Sequence, residues 1–131
     1  MHPLRETSSH LLPIQKELSE REPIFHRLEL GTSREALLSM TTDDFWEVGA
    51  SGKQYSREFI INVLQERYAK NESEEWSTHD FYCQEIAENN YLLTYTLILN
   101  SIHTQRSTLW RKTKEGWKIV YHQGTITQNH S

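Results

Sequence analysis

Gly116-Trp117-Lys118-Ile119-Val120-Tyr121-His122-Gln123-Gly124-Thr125 is the stretch of this 131-residue chain on which the reading of the fold turns. Successive side chains of a strand point to opposite faces of its sheet. Trp117, Ile119, Tyr121 and Gln123 therefore share one face, and Lys118, Val120, His122 and Gly124 the other. The first set begins apolar and ends polar, the pattern of a core strand whose far end opens into a cavity tipped by hydrogen-bonding groups. On this parity Gln123 lines the cavity, and His122 lies outside it or at a dimer contact unless a bulge intervenes.

Working back from that strand, three more strand-like runs precede it, at His79 to Ala87, Tyr91 to Leu99 and Arg106 to Lys112, with turn residues Asn89-Asn90 and Lys114-Glu115-Gly116 between them. Connections this short force antiparallel neighbours, because parallel strands need a crossover of a dozen or more residues. Tyr91, Leu93, Tyr95, Leu97 and Leu99 form the better core face. Leu92, Thr94, Thr96 and Ile98 form a second face too apolar to be left to water, so a second subunit is expected to cover part of it.

The N-terminal half reads as helices around one further strand. Leu11, Ile14, Leu18 and Phe25 recur at helical spacing, with an interruption near Pro23, which lacks an N–H. Gly31 closes that segment. Thr32-Ser33-Arg34-Glu35 reads as a capping box with Thr32 as cap, opening a short helix to about Met40. Asp43 to Val48 is a strand candidate, and Gly49-Ala50-Ser51-Gly52 behind it is a turn without the lysine of a phosphate-binding loop. A second amphipathic helix follows to about Ala69, with Ser56 as N-cap, Tyr55 and Ile60 as a hydrophobic staple, and Phe59, Ile60, Val63, Leu64 and Tyr68 as the apolar stripe. Lys70 to Glu75 is a charged loop. The whole predicts one domain over residues 10–125, with flexible termini at 1–9 and 126–131.

Composition excludes several classes. Eighteen acidic against fourteen basic residues, spread along the chain for a formal charge of −4, argue against a nucleic-acid surface, which needs clustered Lys and Arg. No run is long and apolar enough for a membrane span, and no N-terminal apolar stretch resembles a signal peptide, so the cytoplasm is the expected setting. A single cysteine, Cys83, rules out an intramolecular disulfide and reads as a small buried hydrophobe. Four Trp, six Tyr and four Phe supply the burial a polar domain of this size needs, at roughly 150–250 Å² each. No cofactor motif and no metal-binding pair is present, so neither a cofactor nor a metal is expected.

The blocks Asp44-Phe45-Trp46-Glu47-Val48-Gly49-Ala50-Ser51-Gly52, Arg106-Ser107-Thr108-Leu109-Trp110-Arg111 and Gly116 to Thr125, at their spacing, resemble the SnoaL-like branch of the nuclear transport factor 2-like superfamily, a domain family of unknown function. The resemblance implies an α+β, cone-shaped fold of cystatin-like type, with N-terminal helices packed on a curved antiparallel sheet. It also implies a pocket between the two layers and frequent homodimers through the outer sheet face. Relatives include a steroid isomerase, a dehydratase, an epoxide hydrolase and polyketide cyclases, beside binding domains and transport adaptors, so fold alone does not choose a chemistry. None of their catalytic patterns is visible here, and none is carried over.

Candidate site residues follow from strand position. Glu47, mid-strand between Trp46 and Val48, either faces water or is held in the cavity, where burial would raise its pKa and suit it to general-base work. His122 is the second catalytic candidate, against the bland reading of a structural histidine. Trp46, Arg106, Trp110, Tyr121 and Gln123 are candidate ligand contacts, the aromatics being equally readable as core. Arg106 shares parity with Trp110 and could neutralise Glu47, stack on an aromatic ring or be solvated. The expected function is binding of a small organic molecule, with cofactor-free isomerase, dehydratase or hydrolase chemistry as its enzymatic form. The alternative is a noncatalytic, dimeric protein-interaction module.

Overall fold

The structure, a computed structural model, describes residues 5–70 and 74–127. The charged loop expected at 70–75 falls largely on 71–73, outside the described residues, as do the chain ends at 1–4 and 128–131. In chain order the elements are a 3-10 turn at Ser9–Leu11, α1 at Leu12–Ser19, a 3-10 turn at Leu28–Leu30, α2 at Arg34–Ser39, β1 at Thr41–Val48, β2 at Gln54–Ser56, α3 at Arg57–Lys70, β3 at Trp76–Ala87, β4 at Asn90–Leu99, β5 at Ile102–Thr113 and β6 at Gly116–Ile126. The six strands form one curved, unclosed sheet in the order β2-β1-β6-β5-β4-β3, with the helices on its concave side, an α+β architecture. Among the described residues no helix is long and apolar enough to cross a membrane.

The C-terminal meander is as expected. β3 to β6 pair antiparallel in sequence, and Tyr91, Leu93, Tyr95 and Leu97 are buried while Leu92, Thr94, Thr96 and Ile98 on the other face are half-buried. The first strand adds what the short-connection argument does not reach: β1 pairs parallel with β6, the helix α3 and the meander together forming the crossover. Parallel pairing needs such a long return, and 75 to 78 residues of register offset between partners supply it, as in Trp46 with Tyr121 or Thr41 with Ile119.

Local departures have local causes. Ser33, not Thr32, caps α2: its hydroxyl accepts from the Ala36 N–H at 3.1 Å, which leaves Arg34 as the first helical residue. The first helix ends at Ser19, and Pro23 lies in the connection beyond it. Residues 54–56, unread as a strand, pair antiparallel with β1 across the Gly49–Gly52 turn. Gly49 is required there, since a Cβ would sit 2.9 Å from the Tyr55 ring. On α3 the buried residues are Ile60, Ile61 and Leu64, whereas Phe59 is exposed and stacks on Tyr55. Ser56 caps this helix as expected, accepting from the Phe59 N–H at 3.2 Å.

The core lies between the concave face and the helices. Leu18 and Leu37 from α1 and α2 and Ile61 from α3 meet Phe45, Leu93, Leu97, Trp110 and Ile119 of the sheet, all essentially solvent-free. Cys83 belongs to this core, and burial pushes its thiol up to about 11, which leaves it an inert hydrophobe.

Candidate functional site

Parity along β6 is the fact that arranges the site. Leu109 pairs with Tyr121 but Trp110 pairs with Ile119, so β6 carries one extra residue at Val120. A bulge of this kind switches every later side chain to the other face. Trp117 and Ile119 remain in the core, but His122, 4% exposed, now turns inward, and Tyr121 and Gln123 turn outward. The simple alternation that sends Gln123 into the cavity and His122 out of it is thereby reversed. Tyr121 donates its hydroxyl to Gln123 Oε1 at 2.5 Å and packs on Trp46, ring centroids 4.6 Å apart. Trp46 is 43% exposed, so these three ligand-contact candidates sit together on the convex face, away from the cavity.

Trp110 is inside but is core rather than cavity wall, its indole N–H given to Glu22 at 3.0 Å. Arg106 takes the inward side with Trp110, as their shared parity requires, and of its two open readings Glu47 takes the cavity side. Across the sheet Leu93, Thr108, His122, Glu47 and Tyr55 form one row of register partners, and Tyr95, Arg106 and Gly124 form the next. Between these rows and the helical layer lies a cavity of about 300 Å³, lined by Glu47, Tyr95, Arg106 and His122 from the sheet, by Ile60, Leu64 and Arg67 from α3, and by Ile24, His26 and Glu74 from the connections.

Arg106 is held in place on three sides. Its Nε donates to Thr104 Oγ1 at 2.9 Å, and Nη1 lies 3.4 Å from His122 Nε2. Opposite it stands Gly124, where a Cβ would come within 2.9–3.1 Å of the guanidinium. A guanidinium only donates, so His122 Nε2 is the acceptor and Nδ1 carries the proton, donated to Thr108 Oγ1 at 2.9 Å. Desolvation, with Arg106 and His26 as further causes, drives the His122 pKa down to about 3. His122 is a neutral ring that orients Arg106, and both of its nitrogens are engaged.

Glu47 is the opposite case. Desolvation pushes its carboxyl up to about 7 against the pull of Arg106 and Arg67. The expected alternative, neutralisation by Arg106, is not realised: among the described residues no cation comes within the 4.0 Å of an ion pair. At the rim His26 Nδ1 and Glu74 Oε1 are 2.9 Å apart, with burial the main cause of a lowered His26 pKa.

Three contributors escaped the strand-based reading. Arg67 continues the Ile60, Val63, Leu64 stripe one helical step further, a position from which a cation faces the sheet. His26 had no pattern to mark it. Glu22 is fully buried, its Oε1 accepting from the Ile24 N–H at 2.9 Å and the Tyr95 hydroxyl at 2.7 Å, its Oε2 from Trp110. Tyr95 thus faces the cavity with its proton already given away. Among the described residues no group of three or more His, Cys, Asp or Glu side chains is arranged to hold a metal ion.

No family model matches the chain, and no curated protein matches it by sequence. Solved structures do match. A provisionally assigned dehydratase of the NTF2-like family from Streptomyces avermitilis superposes with a TM-score of 0.71 at 15% identity, over 89% of this chain and 98% of that one. An NTF2-like protein from Cytophaga hutchinsonii gives 0.69 at 12% identity, over 86% and 98%. An uncharacterised cystatin-like protein from Caulobacter vibrioides gives 0.69 at 14% identity, over 86% and 89%. At these identities the likeness is one of fold, and the fold is NTF2-like.

Proposed function

We propose that this chain is a small-molecule-binding domain whose cavity performs cofactor-free acid–base chemistry at Glu47, of isomerase, dehydratase or hydrolase type. The observation that carries the reading is a carboxyl group with no cation in ion-pair reach among the described residues, in a cavity of about 300 Å³, with a pKa of about 7. That volume is at the small end of the ~300–1,000 Å³ of ligand pockets. A carboxyl near neutrality exists in both forms at physiological pH, so it takes a proton from a substrate and returns it.

The chemistry follows from what remains available. Glu47 abstracts a proton next to a substrate carbonyl, the electron pair moves onto the carbonyl oxygen, and Arg106 faces the charge that develops there. A preorganised donor of this kind is worth about 3–4 kcal/mol in the transition state. Return of the proton to another atom is isomerisation, and loss of a leaving hydroxyl is dehydration. His122 and Tyr95 do not compete for the oxyanion role, because their protons are engaged with Thr108 and Glu22.

The same reading pairs two cytoplasmic copies through the convex face, where Leu92, Leu109, Tyr121 and Trp46 form one cross-strand row of partly exposed apolar side chains. The test is native mass spectrometry of protein purified from its host, followed by turnover of any bound molecule by the wild type and Glu47→Gln. We expect a copurified small organic mass, and an E47Q protein that folds and binds but does not turn over. Turnover unchanged in E47Q would sink the acid–base assignment.

A further inference from the structure

We infer that the cavity takes a small organic monocarboxylate, its charged end lodged between Arg106 and Arg67, an inference that rests on the small-molecule reading above. Arg106 is a built cation. Of the five N–H groups of a guanidinium, Nε is given to Thr104 and one on Nη1 to His122, and Thr104 is itself anchored to the Leu97 carbonyl at 3.0 Å. The remaining N–H groups have no protein acceptor among the described residues and face a cavity whose walls include Ile24, Ile60 and Leu97. No buried side-chain N or O atom among the described residues lacks a partner, so these groups are accessible from the cavity; a neutral apolar ligand that covered them would strand them, and stranded donors are costly.

Charge count narrows the class. The ionisable groups facing the cavity are His26, Glu47, Arg67, Glu74, Arg106 and His122. Two are permanent cations, Glu74 is a carboxylate beside a His26 whose lowered pKa leaves it uncharged, and His122 is neutral. With Glu47 protonated, as it is for half the molecules near pH 7, the lining carries one net positive charge. A single carboxylate balances that charge and matches the planar donor fork of a guanidinium. A phosphate dianion would overshoot it and be repelled by Glu74 and by ionised Glu47. The sequence signature is the glycine opposite the arginine: only at Gly124 does the strand leave room for the Arg106 head group.

The experiment is calorimetric titration of wild type, Arg106→Met and Arg67→Met with matched acid and amide pairs: butyrate and butyramide, benzoate and benzamide, phenylacetate and phenylacetamide. We expect the wild type to bind at least one acid about tenfold tighter than its amide, the difference between charge-assisted and neutral hydrogen bonds. R106M should abolish that preference with amide binding retained, and R67M, in the last turn of α3, should reduce it. Equal binding of acid and amide by the wild type overturns the carboxylate assignment but leaves the small-molecule pocket standing, as does a preference that survives in both variants. Failure of every probe to bind, with no small mass copurified from the host, overturns both.

Discussion

Glu47 and His122 are register partners across the parallel β1–β6 pair, and burial moves their pKa values in opposite directions, up to about 7 and down to about 3. For Glu47, between its ordinary value of 4.5 and about 7 the folded chain holds a proton that the unfolded chain has lost, so stability falls as pH rises through that window. For His122, between about 3 and 6.5 the unfolded chain holds a proton that the folded chain refuses, so stability falls as pH drops. His26, also lowered by burial, adds to the second slope. From 4.5 to 6.5 the two slopes oppose. Urea denaturation of the wild type should therefore show a shallow profile there, while Glu47→Gln should gain stability steadily with pH. At pH 8 E47Q should be more stable than wild type by about 1–3 kcal/mol. Superimposable profiles for the two proteins would refute the desolvated, unpaired state of the Glu47 carboxyl.

Gly124→Ala isolates the seat of Arg106 from the rest of the fold. The added methyl would stand 2.9–3.1 Å from the guanidinium and meets no backbone at that distance, so the flexible head group moves rather than the strand. The protein should fold with a loss of at most about 1 kcal/mol, since alanine is no worse than glycine in a strand. Acid-over-amide preference should nevertheless fall. A G124A protein with wild-type preference would show that the position of Arg106 in the cavity is not set by its opposite number.

Much of this was legible in the residues, and what was not has a physical reason. Alternation in Tyr91 to Leu99 and the short turns determine the meander, because hairpin registry is local. The inward placement of Arg106 follows from its parity with Trp110, and both are on the concave side. The bulge at Val120 is invisible to alternation, since nothing in Ile119-Val120-Tyr121 forces an extra residue; yet it decides which of His122 and Gln123 meets the cavity. The parallel seat of β1 beside β6 depends on contacts 75 to 78 residues apart and has no local sign. Glu22 lies next to Pro23 in a stretch without periodicity, so no pattern marks a carboxylate destined for full burial.

That carboxylate yields a third prediction. Glu22 Oε1 accepts two hydrogen bonds, from Ile24 N–H and Tyr95 O–H, and Oε2 accepts one from Trp110 Nε1. Glu22→Gln keeps the first two if its oxygen takes the Oε1 position, but then sets an NH₂ group against the Trp110 N–H, donor against donor. The expected cost is about 1–3 kcal/mol in urea denaturation. Trp110→Phe should cost less in the E22Q background than in the wild type, because it removes the orphaned donor. Additive losses in this double-mutant cycle would show that the two side chains are not coupled.

The convex face carries the fourth. Trp46 and Tyr121 pack against one another, rings tilted by 51°, at the β1 end of a row that continues through Leu109 to Leu92, and Trp46 is 43% exposed. Large aromatics exposed in a continuous row are the anchors around which interfaces form. Trp46→Arg places a charge in that row without touching the cavity, because its neighbour Glu47 points the other way. If two copies meet here, sedimentation equilibrium should show the wild type as a dimer and W46R as a monomer. The variant should retain the fold and whatever ligand preference the cavity has, since the side chain packs on the far side of the sheet. A W46R protein of wild-type mass in solution would place the interface elsewhere, and a wild type that is monomeric at high concentration would leave the row to some partner other than a second copy.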